Sequence, residues 1–183
     1  RYDGKLYAAT DAGVFVLEGG DGFLTNLEPP RFVALDSIQT QSWDLLPTQH
    51  GLLVATNDGV YRIGANKSPQ LIWLSNENVY TLLESRSREN TVFVGLQSGF
   101  SVLQKDPNRD LWRAENPLEN VTAEVRGLHE RDDGDLWLST RTDGYIRVML
   151  SDTDRPTPTI DIYGAERGLS LIHISEPTRP LHI

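Results

Sequence analysis

Leu52-Leu53-Val54-Ala55-Thr56-Asn57-Asp58-Gly59-Val60-Tyr61-Arg62-Ile63 is one of four versions of a single phrase. The others are Lys5-Leu6-Tyr7-Ala8-Ala9-Thr10-Asp11-Ala12-Gly13-Val14-Phe15-Val16-Leu17, Val92-Phe93-Val94-Gly95-Leu96-Gln97-Ser98-Gly99-Phe100-Ser101-Val102-Leu103 and Leu136-Trp137-Leu138-Ser139-Thr140-Arg141-Thr142-Asp143-Gly144-Tyr145-Ile146-Arg147-Val148. Each is an apolar run, a short polar link, a glycine and a second apolar run, the pattern of a β-hairpin. The glycine answers the positive φ that a tight hairpin imposes. Gly13, Gly59, Gly99 and Gly144 are 46, 40 and 45 residues apart, a period that specifies a repeat architecture. Thr10, Thr56 and Thr140 close the first run, whereas the third copy has Leu96 there.

Strand signal continues on both sides of each hairpin. Ser42-Trp43-Asp44-Leu45-Leu46, Val79-Tyr80-Thr81-Leu82-Leu83 and Val125-Arg126-Gly127-Leu128-His129 precede it and align without gaps. Phe32 to Leu35, Leu71 to Leu74, Leu111-Trp112 and Ile160 to Tyr163 follow it. Four short antiparallel strands in roughly 40–45 residues make one β-propeller blade. The expected fold is all-β, a propeller of about four consecutive four-stranded blades at 1–40, 41–75, 76–122 and 123–168. The chain opens at the second strand of a blade, so the first is expected to hold three strands. A blade is stable only when its neighbours cover its faces, so Tyr7, Phe93, Trp137, Trp73 and Trp112 are expected to pack between blades.

Residues 169–183 break the pattern. Leu169 to Pro180 resembles a sequencing adapter translated in frame, so this tail is expected to be non-native and is set apart from the fold. The expectation is therefore an arc of a larger ring, with a complete four-bladed ring as the alternative.

Composition bounds the function. A net charge of −9 argues against nucleic acid, which needs a basic face. With no cysteine, thiolate chemistry and disulfides are excluded within the segment. No stretch has the length and apolarity of a membrane span, so the segment is not expected to touch the membrane. His50, His129, His173 and His182 lack zinc-ligand spacing. Asp132-Asp133-Gly134-Asp135 lacks the ligand positions of a calcium loop and reads as a solvated turn. No metal, cofactor or catalytic residue is expected.

Gly134-Asp135-Leu136-Trp137-Leu138-Ser139-Thr140, the phrase through Leu53 to Ile63 and Asn78 to Glu84 resemble the two-component regulator propeller repeat. Tyr163-Gly164-Ala165-Glu166-Arg167-Gly168-Leu169 resembles that family's lead into a further blade. The resemblance covers nearly all of residues 1–168. It implies the extracytoplasmic, periplasmic sensor propeller of a bacterial inner-membrane signalling protein, with a histidine kinase or other output elsewhere in the parent. It also implies a small ligand such as an oligosaccharide, contacts with neighbouring blades and domains of the parent, and is compatible with a dimeric parent. The alternative is a non-catalytic protein-interaction scaffold. A propeller lyase or quinoprotein dehydrogenase would need clustered His, Arg and Asp or cofactor motifs, which the sequence lacks.

The aligned lead-in strands carry one column suited to a ligand: Trp43, Tyr80 and Arg126. Aromatic rings and a guanidinium suit a sugar or an anionic oligosaccharide through stacking and paired hydrogen bonds. Each member precedes a leucine by two residues (Leu45, Leu82, Leu128). If those leucines face the core, strand alternation places the column there too. A bulge or a bend at the strand start is needed to turn it outward.

Overall fold

A computed structural model describes residues 1–19, 29–64, 68–115, 121–149 and 159–168. The tail at 169–183 lies outside the described residues. The chain is all-β. The first sheet holds three strands, β1 (Tyr7–Thr10), β2 (Gly13–Glu18) and β3 (Arg31–Ala34). The second holds β4 (Ser42–Thr48), β5 (Gly51–Thr56), β6 (Gly59–Ile63) and β7 (Pro69–Leu74). The third holds β8 (Val79–Glu84), β9 (Thr91–Leu96), β10 (Gly99–Lys105) and β11 (Trp112–Glu115). The fourth holds β12 (Val125–Glu130), β13 (Leu136–Thr140), β14 (Tyr145–Met149) and β15 (Thr159–Tyr163). Every sheet runs in chain order with antiparallel neighbours, as propeller blades do. One 3-10 turn, Ala165–Arg167, follows. Among the described residues, no helix is long and apolar enough to cross a membrane.

The blades stack through three apolar clusters. Val14, Ile38, Leu52, Val54 and Ile63 fill the first junction, with Tyr7 and Leu45 beside them. Leu53, Ala55, Val92, Val94 and Leu103 lie in the second, where Trp73 and Trp112 pack. Phe93, Phe100, Val125, Leu136, Leu138 and Val148 lie in the third. Alternation along β5 explains why the whole run Gly51–Thr56 is buried: Leu52 and Val54 face one neighbour, Leu53 and Ala55 the other. Each buried Leu or Val here contributes roughly 1.5–3 kcal/mol.

Two expectations differ in detail. Trp137 stands where Tyr7 and Phe93 stand in their blades, on the face turned away from the preceding blade, but among the described residues no blade follows the fourth to cover that face. Its ring packs on Tyr163 at 5.2 Å instead of in a junction. Asp135 is not solvated: it is buried and ion-paired to Arg147, which β14 brings alongside. Asp132 and Asp133 remain exposed around the Gly134 turn.

The hairpin phrase acquires a mechanism. Thr10, Thr56 and Thr140 donate their hydroxyls to the carbonyls of Gly13, Gly59 and Gly144 at 2.9, 2.8 and 2.8 Å. Each bond ties the end of the first strand across the turn to the glycine carbonyl. Thr56→Val keeps the shape and removes the donor at a buried site. It should cost about 1 kcal/mol, read as a lower midpoint in urea at unchanged slope.

Candidate functional site

The strands β4, β8 and β12 lie side by side and begin at the same end of their blades. Each begins with the same irregularity. In β4 the register against β5 slips between Ser42 and Asp44, so Trp43 has no opposite number. In β8 the slip falls between Val79 and Thr81, leaving out Tyr80. In β12 it falls between Val125 and Gly127, leaving out Arg126. A one-residue bulge re-aims the side chain of its extra residue. The three leucines two positions on keep to the apolar junctions, Leu45 in the first, Leu82 in the second and Leu128 in the third. The column leaves the core face by the device its placement required.

The three side chains meet. The Trp43 and Tyr80 rings stand edge to face with centroids 5.0 Å apart. The Arg126 guanidinium carbon sits 3.5 Å from the Tyr80 centroid and 5.4 Å from that of Trp43. Cation–π attraction of this kind is worth about 0.5–1 kcal/mol at an exposed site. Trp43 remains 38% exposed and Arg126 is exposed, so the cluster is a surface.

A second tier surrounds it and also follows the repeat. The carbonyls of Gln41, Asn78 and Glu124, each directly before its inner strand, accept the backbone N–H of Asn57, Gln97 and Arg141 at 3.1, 3.0 and 2.9 Å. These bonds tie the inner strand's start to the hairpin turn, so side chains from both reach the cluster. Trp43 Nε1 donates to Asn57 Oδ1 at 3.0 Å. Asn78 Nδ2 donates to the Tyr80 hydroxyl at 3.2 Å and to Gln97 Oε1 at 2.9 Å. Glu124 pairs with Arg126 on one oxygen and with Arg141 on the other, the latter at 3.3 Å. Burial raises the Glu124 carboxyl, but the two guanidiniums outweigh it and hold the group below the usual carboxylate range. Glu124 is therefore a carboxylate at neutral pH, and its charge offsets that of Arg126.

The surface thus combines an open indole, amide donors and acceptors, and a locally balanced ion pair. Asn57, Asn78, Gln97, Glu124 and Arg141 were not singled out from the sequence. Their signal was positional: Asn78 and Glu124 directly precede the aligned lead-in strands, and Asn57, Gln97 and Arg141 directly follow the first apolar run of each hairpin phrase. Among the described residues, no three His, Cys, Asp or Glu side chains converge as metal ligands do. No family model matches the chain, and no curated protein matches it.

Proposed function

We propose that the chain is the ligand-sensing propeller segment of a bacterial transmembrane signalling protein, lying outside the cytoplasmic membrane and carrying no catalysis itself. The signalling half of this reading rests on the resemblance of the repeat phrase. The ligand-binding half is carried by one observation: three successive inner strands bulge at the same position, and Trp43, Tyr80 and Arg126 meet there.

The chemistry favours a neutral oligosaccharide over an anionic one. Arg126 is already neutralised by Glu124 and stacked on Tyr80, so it offers its remaining N–H groups and little net charge. Glu124 and Asn57 supply acceptors, the Tyr80 hydroxyl and Arg141 supply donors, and the open Trp43 ring supplies a stacking face. A pyranose presents this alternation of hydroxyls and an apolar C–H face. For binding to signal, the ligand must prefer one of two states of the parent protein.

Calorimetry of the full chain against neutral and uronic-acid oligosaccharides tests the site. A neutral ligand should bind, and Trp43→Ala or Arg126→Ala should weaken it about tenfold or more. Unchanged affinity in both variants contradicts the site. Extending the parent reading frame tests the signalling half: a membrane-spanning helix and an output domain are expected, and a complete soluble protein without them contradicts it. A protein-interaction scaffold is the second reading. The self-paired state of Arg126 favours it, since a satisfied polar cluster also suits a protein partner.

A further inference from the structure

A cleft of about 610 Å3 opens on the outer part of the fourth blade, lined by Val121, Thr142, Asp143, Ile146, Ile160 and Ile162 among others. It is separate from the inner-strand cluster. Its origin is visible by comparison with the second blade. Tyr61 and Ile146 hold the same repeat position, two residues after the turn glycines Gly59 and Gly144. Both face the preceding blade, Tyr61 at the first junction and Ile146 at the third. In the second blade the phenol occupies this place, and its hydroxyl donates to Asp58 Oδ2 at 3.2 Å. Burial, with Asp58 beside it, pushes the Tyr61 phenol up, so it stays a donor.

The fourth blade keeps the carboxylate and loses the ring. Asp143 stands directly before its glycine as Asp58 does, is exposed, and accepts from its neighbour Thr142 at 3.1 Å. Ile146 stops short of where a phenol would reach. Ile162, the cross-strand partner of Ile146, is left 55% exposed in the same cleft. In the third blade Ser101 holds the position and turns its hydroxyl to the Glu115 carbonyl at 3.0 Å, while Ile72 and Trp73 pack at that junction. The fourth blade thus presents apolar walls without the tyrosine, and its turn, one residue longer than that of the second blade, sets the Asp143 carboxylate at the edge of the cleft.

We propose that this cleft binds a small molecule bearing a hydroxylated aromatic ring. The ring lies against Ile146, Ile160, Ile162 and Val121, and its hydroxyl donates to the Asp143 carboxylate as Tyr61 does to Asp58. Apolar walls with one placed polar group are the usual makeup of a small-molecule site, and the volume falls in the usual range of about 300–1,000 Å3. A hydrogen bond to a carboxylate is roughly twice as strong as one between neutral groups, which sets the preference for a phenol over a bare ring. The volume leaves room for substituents on the ring.

The test uses the full chain and 4-methylphenol, the tyrosine side chain as a free molecule, followed through the isoleucine methyl resonances. Saturable shifts at Ile146, Ile160 and Ile162 are expected with a dissociation constant of about 1 mM, reasonable for so few atoms. Toluene should bind about tenfold more weakly. Ile146→Tyr should fill the cleft, abolish the shifts and raise the unfolding temperature. Asp143→Asn should weaken 4-methylphenol several-fold and leave toluene unchanged. Shifts that do not saturate, toluene binding as tightly as the phenol, or binding that survives in folded Ile146→Tyr would each overturn the proposal. If Ile146→Tyr does not fold, Asp143→Asn decides: loss of the phenol preference supports the site, and its persistence overturns it.

Discussion

Gly59→Ala is expected to destabilise the chain by about 3 kcal/mol or more. Gly59 has φ of +146°, outside the range a side chain tolerates, and a Cβ there would lie 2.1 Å from the Trp73 carbonyl oxygen. That oxygen belongs to the outer strand of the same blade, so relief requires β7 to move. β7 carries Ile72 and Trp73 into the second junction, so the disturbance spreads to the next blade. Gly13, Gly99 and Gly144 meet carbonyl oxygens of Ile38, Val121 and Tyr163 in the same way. The repeat therefore keeps glycine for the approach of a neighbouring backbone as much as for the turn. Chemical denaturation checks this: a midpoint within error of the parent's for Gly59→Ala would contradict it.

Glu130→Ala should have a comparable effect for an electrostatic reason. Glu130 ends β12 and is only 2% exposed. Its carboxylate accepts from the Ser85 and Ser87 hydroxyls at 2.9 and 2.6 Å and from the Arg86 backbone N–H at 2.5 Å, while the Arg86 side chain reaches the Glu130 carbonyl. All of these donors come from the blade before. Asp44 forms a smaller clamp between the second and third blades, accepting from Leu82 N–H at 2.9 Å. Removing the Glu130 carboxylate strands several donors at a closed junction, at a cost of about 3 kcal/mol or more. Burial raises the Glu130 carboxyl, but the donors from Ser87, Arg86 and Ser85 win and hold it below its ordinary value of 4.5. The stabilisation is then complete above the unfolded value and lost as pH falls through the folded one. Stability should drop below about pH 4.5, and Glu130→Gln should flatten that part of the profile. An equally steep acid limb in Glu130→Gln would show that other carboxylates govern it.

The glycine and the clamp differ in how far the sequence could disclose them. The hairpins were legible because Thr, Gly and the alternating apolar residues recur in step. Each has a local cause within a dozen residues. The outer strand of the third blade was legible only in part. Its Trp112 was read, but Arg113 to Glu115 are exposed and carry no apolar pattern, so β11 runs past the expected segment. Glu130 and Asp135 gave no signal, because a carboxylate in a β-turn region looks solvated until its partners arrive. For Glu130 those partners lie in the preceding blade, and Arg147 reaches Asp135 from the adjacent strand.

The site was legible in an unusual sense. Alignment alone gathered Trp43, Tyr80 and Arg126 into one column, and strand periodicity stated the condition for their exposure. Nothing in Ser42-Trp43-Asp44 or Val79-Tyr80-Thr81 announces a bulge, since neither holds a glycine. The register slip comes from how the inner strand meets the hairpin turn, through the carbonyls of Gln41, Asn78 and Glu124. Arg126 stacking on Tyr80 and pairing with Glu124 was equally hidden. The cleft beside Ile146 depends on the difference between a tyrosine and an isoleucine at one repeat position; the difference stands in the sequence, but the open space it leaves does not.

The bulged column is proposed as the place where a ligand meets this propeller. Its most direct test follows the indole N–H resonances of the four tryptophans during titration of the full chain with the oligosaccharide panel. Trp43 donates its indole N–H to Asn57 at the cluster, whereas Trp73 and Trp112 pack at the second junction and Trp137 lies against Tyr163. A saturable shift of the Trp43 resonance alone, lost in Arg126→Ala, is expected. A panel that leaves Trp43 unmoved, or a bound ligand that moves the other three instead, would contradict it.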